Sequence, residues 1–285
     1  MTAPLPSYVQ QPGPSGADYS MATTDIVDLD FTLAAGISLH DGLAAEIARL
    51  GLVGGYVRLL ETPMTAVRYV IPGLSPDDTH VAWYSKTYEA PMPGVIQDAG
   101  INCGALQDGP FYHCHGITRG PDGDMAMGHL LPETCILGKP ARMKGIGFKQ
   151  ARFNRVPDAQ TGFDLFVAQQ ARPAPDNPEA ILLRIAPNVE LSKPLIECCQ
   201  NAGWTRAGVF GVGSIIGAHF ADDRIMQSFA TEFFVTKGEI DLSGAKPQTH
   251  IEIAIVGLDG THMEGLLKPE GNPVLITSEM ILKRL

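Results

Sequence analysis

The chain has 285 residues, 31 acidic and 21 basic, for a net charge of −10, with 45% hydrophobic and 18% charged residues. This composition supports a folded protein with a sizeable core, and the acidic balance without a dense Lys/Arg cluster argues against a partner tracked through its phosphates. The apolar runs are of strand length and too short to span a bilayer, so no membrane partner is expected.

Residues 1–22 are proline-rich and aperiodic, which predicts a disordered tail or an arm that orders on a partner. They lack the basic start and apolar run of a secretory signal. The five cysteines, Cys103, Cys114, Cys135, Cys198 and Cys199, are odd in number and without CxxC spacing. Reduced thiols in a cytoplasmic protein are therefore expected.

Residues 23–169 read as a first folded unit. Ile26–Leu33 is strand-like, and 38–50 is a helix with Leu39, Leu43, Ile47 and Leu50 on one face, closed by Gly51. A strand follows at 53–60. Residues 170–180, with three prolines and no apolar period, form a stiff linker. Residues 181–285 repeat the pattern: a strand at 181–185, a helix at Ser192–Asn201 closed by Gly203, and a glycine-interrupted strand pair at 209–220.

Self-comparison makes the repetition explicit. Leu39 and Leu43 align with Leu191 and Leu195 at an offset of 152, which also places Gly51 on Gly203 and Val57 on Val209. Further along, His113, Gly123 and Pro132 align with His250, Gly260 and Pro269 at an offset of 137. The first copy thus holds fifteen extra residues between Ala66 and His113, a stretch containing Pro72, Pro91 and Pro93 that reads as an elaborated loop. Chance does not readily give two constant offsets in the same order.

The histidines carry the chemistry. Phe111-Tyr112-His113-Cys114-His115 is a strand pattern, so His113 and His115 share a face. The turn at Gly120-Pro121-Asp122-Gly123 sends the chain back and puts His129 opposite or diagonal to them. Gly128 beside His129 leaves room for close approach. Three imidazoles so placed can hold one divalent ion and leave a coordination position open. Zinc leads on ligand type, while iron, copper and nickel also accept imidazole. A metal-free polar cluster and simple packing are the competing readings. In the second copy the matching residues are His250, Glu252 and Leu266, so two of the three imidazoles are missing.

The motif from Phe111 to His115, followed by Gly123 and by Gly128-His129-Leu130-Leu131, resembles the signature of the plants-and-prokaryotes conserved (PPC) domain, also called the domain of unknown function 296. Arg155-Val156-Pro157-Asp158-Ala159-Gln160-Thr161-Gly162-Phe163 is similar to that family's C-terminal segment. Arg206-Ala207-Gly208-Val209 with Gly211-Val212-Gly213-Ser214, and Leu242-Ser243-Gly244 before His250, are similar to its elements in the second copy. The resemblance implies an α/β (α+β sandwich) fold, two tandem copies of a PPC-like domain, each a mostly antiparallel sheet with a packed helix. It also implies a homo-oligomer, usually a trimer, and a metal on His113, His115 and His129. Family members that bind AT-rich DNA do so through an AT-hook, and this chain has no Arg-Gly-Arg-Pro element.

The function expected is a small-molecule enzyme or binding protein with that metal site. The inserted segment 68–100 is a candidate lid, with Tyr69, His80, Tyr84, Lys86, Tyr88 and Glu89 as its polar groups. Glu89 is a candidate general base on metal-bound water, or a solvated loop carboxylate. Arg58 and Arg68 are candidates to hold a substrate carboxylate, with Tyr84 beside them, or are surface ion-pair residues. The rival reading is a non-catalytic regulatory or assembly module, with Ile215, Ile216, Phe229, Phe233, Phe234 and Val235 at a subunit contact or in the domain's own core. DNA binding by family descent is a third.

Overall fold

A computed structural model describes residues 5–107 and 109–285. Two mostly antiparallel sheets carry one helix each and lie face to face. In chain order the principal elements are β1 (Tyr19–Thr24), β2 (Ile26–Leu33), α1 (Leu39–Arg49), β3 (Gly54–Ala66), β4 (Gly94–Leu106), β5 (Gly109–Arg119), β6 (Met125–Leu130), β7 (Ala141–Phe148), β8 (Ala151–Pro157) and β9 (Asp164–Gln170). Then follow β10 (Ala180–Ile185), α2 (Ser192–Asn201), β11 (Arg206–Ile215), β12 (Thr231–Asp241), β13 (Gln248–Gly257), β14 (His262–Leu266) and β15 (Val274–Arg284).

The first sheet runs β2-β7-β3-β4-β5-β6 and the second β10-β15-β11-β12-β13-β14, the same succession of elements in the same spatial order. The helices also end alike. Ser38 caps α1 by accepting from the Asp41 N–H at 3.0 Å. At its C-terminus Gly51 takes φ +66°, and Gly51 and Leu52 N–H groups return to Ala48 and Ile47 carbonyls. Gly203, at φ +68°, and Trp204 repeat that closure on Gln200 and Cys199.

Strand alternation sorts the side chains into layers. Tyr112 and Cys114 of β5 face α1 and join Leu39 and Leu43, both fully buried; each such leucine contributes about 1.5–3 kcal/mol. On the second sheet, Phe233, Val235, Met280 and Leu282 face α2. The opposite faces meet each other. Phe234 packs with Ile117 and Met127, and Ile281 and Leu182 pack with Tyr56 and Phe148. Ile216 and Phe229 instead pack with Ala82 of the insertion. The apolar residues considered for assembly are thus divided between the second sheet's own core and its contact with the first half.

Residues 209–220 carry two strands interrupted by glycine: β11 continues to Ile215, with Gly211 at φ +143° absorbing a break in its pairing, Gly217 takes φ +65°, and Ala218–His219 follows as a short strand. Of the two readings of the N-terminal residues, a disordered tail or an arm, residues 5–24 form an arm, ordered on the chain's own second sheet; residues 1–4 lie outside the described part. Val9 exchanges hydrogen bonds with the Asn188 side chain, Gln11 is 3% exposed, and β1 pairs antiparallel with β10 along its whole length. The arm therefore covers the edge strand of the second sheet.

Candidate metal centre

The hairpin β5–β6 pairs His115 directly with His129, with His113 two residues along on the same face. That is the face turned toward the second sheet. Gly128 is required next to them: a Cβ there would strike the Val70 carbonyl and the Tyr69 ring of the adjoining short strand Arg68–Val70. The three ring centroids lie 4.6–5.2 Å apart, and one ligand atom from each ring falls within 4.8 Å of the others.

Partners from the second half set the ring orientations. His113 Nδ1 is 2.7 Å from Glu279 Oε2, and His115 Nδ1 is 2.8 Å from the Phe233 carbonyl. A carbonyl only accepts, so His115 carries its proton on Nδ1; with Glu279 Oε2 as the acceptor, His113 does the same. Both Nε2 atoms then present lone pairs, and they lie 3.0 Å apart. Two lone pairs at that separation repel unless a cation lies between them. Three nitrogens each about 2.0–2.1 Å from one ion are about 3–3.5 Å from each other, so the spacing of this pair fits a bound divalent ion, with the His129 ligand atom within 4.8 Å of both.

Burial holds His115 and His129 well below the usual imidazole range, with His113 adding to both effects. His129 Nδ1 and Glu232 Oε2 are buried and without a hydrogen-bond partner. Glu232 Oε1 lies 3.8 Å from His129 Nδ1 and 3.9 Å from His115 Nε2, beyond hydrogen-bonding range. Burial pushes the Glu232 carboxyl up to about 8. Glu279 is 1% exposed; Thr277 Oγ1 donates to it at 2.9 Å, and its main-chain carbonyl accepts from Asn102 Nδ2 at 3.0 Å.

The imidazoles open onto a cavity of about 130 Å³ between the sheets. The insertion contributes Pro72, Ala82, Trp83 and Tyr84 to its wall. Trp83 stacks on Phe163 at 5.3 Å, and the Tyr84 ring meets His129 edge-on at 5.5 Å. Although 43% of Tyr84 is exposed, burial of its phenol, with Glu232 and Glu279 nearby, raises its pKa above the usual range. His80 packs on Phe163 at 4.4 Å at the outer edge of this lid.

The other candidates are elsewhere. Glu89 and Arg68 form an exposed ion pair at 2.7 Å, and neither borders the cavity. Tyr69 and Tyr88 stack on each other, with Lys86 over Tyr88. Arg58 is bound by both Asp98 oxygens and donates to the Val235 and Thr236 carbonyls at 2.9 and 3.0 Å. It clamps the two sheets together and faces no ligand.

In the second half Glu252 pairs with Leu266, in the register of His115 with His129. His250 and Glu252 there form a partly exposed contact at 2.7 Å. Sequence reasoning missed Glu232, Glu279 and Arg155. Glu279 was marked as the one acid of its strand, and Glu232 as an acid directly before Phe233-Phe234-Val235.

No family model matches the chain, and no curated protein matches it. Among solved structures, it is similar to a metal-containing protein from Archaeoglobus fulgidus at 20% identity, over 50% of this chain and 96% of that one, with a TM-score of 0.39. A candidate DNA-binding protein from Ralstonia eutropha is similar at 16% identity, over 48% and 88%, with a TM-score of 0.38. No helix is long and apolar enough to cross a membrane among the described residues. A Pyrococcus horikoshii PPC protein, 14% identical over 54% of this chain and 96% of that one with a TM-score of 0.38, places the plant- and prokaryote-conserved type of domain among this chain's structural neighbours.

Proposed function

We propose that the chain is a tandem of two PPC-like units fused so that their junction forms one metal-dependent site for a small molecule, and that it acts there as an enzyme. The duplication is supported by the shared strand order and the identical helix closures. The observation that carries the site is the pair of inward-facing Nε2 atoms 3.0 Å apart, each ring oriented by an acceptor on its Nδ1. His113, His115 and His129 would hold the ion, zinc by ligand type. When bound, it supplies Lewis acidity to a ligand oxygen or to water. The second unit contributes Glu279, which fixes the His113 tautomer in the manner of a carboxylate behind a metal-bound histidine. Glu232, with an unpartnered oxygen at the cavity wall, is placed to hold or move a proton of the bound molecule. Trp83 and Tyr84 of the insertion form an aromatic wall at the cavity mouth.

Metal analysis of protein purified without an affinity tag tests this reading. About one ion per chain is expected in the wild type, with loss in the His113→Ala/His129→Ala double variant. A wild-type protein that takes up no divalent ion would reject it.

A further inference from the structure

We propose that the cavity binds a small organic carboxylate with an apolar body, its carboxylate held by Arg155 and its body lying against the aromatic lid. This deepens the reading of the metal centre and rests on it for the cavity's role as a small-molecule site. Arg155 borders the same cavity as the three histidines. Its guanidinium lies 4.5 Å over the Phe111 ring, and its Nε donates to the Asp164 carbonyl at 3.2 Å. The two terminal nitrogens have no hydrogen-bond partner among the described residues, and Asp164, whose exposed side chain also borders the cavity, makes no ion pair with it.

Arg58, Arg68 and Arg184 are all matched to carboxylates, whereas Arg155 is held at its stem with its fork free. A fork anchored in this way suits a planar carboxylate. A single arginine fork at the wall suits one carboxylate group on the ligand. A phosphate dianion is poorly matched, since the wall holds no lysine and no second arginine. Trp83, Phe163, Phe166, Leu275 and Ile276 supply the apolar surface for the ligand's body.

Isothermal titration of zinc-loaded and metal-free protein with benzoate, its uncharged counterpart benzamide and inorganic phosphate tests the assignment. Benzoate is expected to bind saturably, and at least about tenfold more tightly than benzamide. Arg155→Gln should weaken benzoate binding by about tenfold or more and leave benzamide unchanged. Arg68→Gln, which removes the same charge from the surface, should change neither. If Arg155→Gln fails to fold, Arg155→Lys, which keeps the charge and loses the fork, should bind benzoate several-fold more weakly. The assignment is overturned by absence of saturable benzoate binding, by equal affinity for benzamide, by indifference to the Arg155 substitutions, or by phosphate binding more tightly than benzoate. Zinc content measured on the same samples separates the two readings. Metal retained without recognition of benzoate overturns the carboxylate assignment alone, and Arg155-dependent benzoate binding without metal uptake overturns the metal centre alone.

Discussion

His113 and Glu279 stand 166 positions apart in the chain and 2.7 Å apart in space, so a histidine of the first sheet takes its orientation from a buried carboxylate of the second. Neither half is sufficient for the site. If this contact tunes the proposed metal ligand, Glu279→Gln should lower zinc affinity by about 10–100-fold, because a neutral amide polarises the imidazole less. Competition against a chromogenic chelator measures it. An affinity equal to wild type would show that the carboxylate does not act through His113.

Arg58 spans the two sheets by binding Asp98 on its own side and two carbonyls on the other. Arg58→Leu leaves Asp98 without its partner in a partly buried position, and a cost of about 3 kcal/mol is expected in urea denaturation. Asp98→Asn in the Arg58→Leu background should recover part of that loss. A single substitution within about 0.5 kcal/mol of wild type would mean that the clamp is energetically idle.

Trp83 and Trp204 are the two tryptophans of the chain. Trp83 lines the cavity mouth on Phe163, while Trp204 is buried against α2. Ligand or metal binding should therefore change the fluorescence of Trp204→Phe protein and leave that of Trp83→Phe protein unchanged. The reverse pattern would place the binding event outside this cavity.

All five cysteines are free and buried. Burial pushes Cys198 up to about 11 and both Cys135 and Cys199 up to about 12, with Cys103 and Cys114 also raised. A raised thiol pKa means less thiolate at pH 8, and the thiolate is the reacting form. Native protein should react slowly with an aromatic disulfide reagent at pH 8, and all five thiols should react at once on denaturation. Rapid modification of the native protein would contradict this packing.

The local parts of the site were legible because local rules determine them. Alternation put His113 and His115 on one face, and a five-residue turn centred on Asp122 brought His129 opposite His115. Ser38 and Gly51 marked the two ends of α1 for equally local reasons. Docking of one sheet on the other is not written in any such period. Arg58 and Glu89 could therefore be read either as site groups or as ion-pair and surface residues, and only the docked sheets show the pairs they form. Glu232 and Glu279 were readable only as acids out of place among apolar neighbours. That signal shows that a charge is buried, and not what faces it.

The arm has a consequence for how the molecule can be divided. β1 lies on the second sheet while β2, one residue later, begins the first. The polypeptide thus departs from one sheet, completes the other and returns, so a protease nick at 171–179 would leave two fragments still interleaved. During synthesis the arm leaves the ribosome more than 150 residues ahead of the strand it covers, and the edge cannot be sealed until that strand emerges.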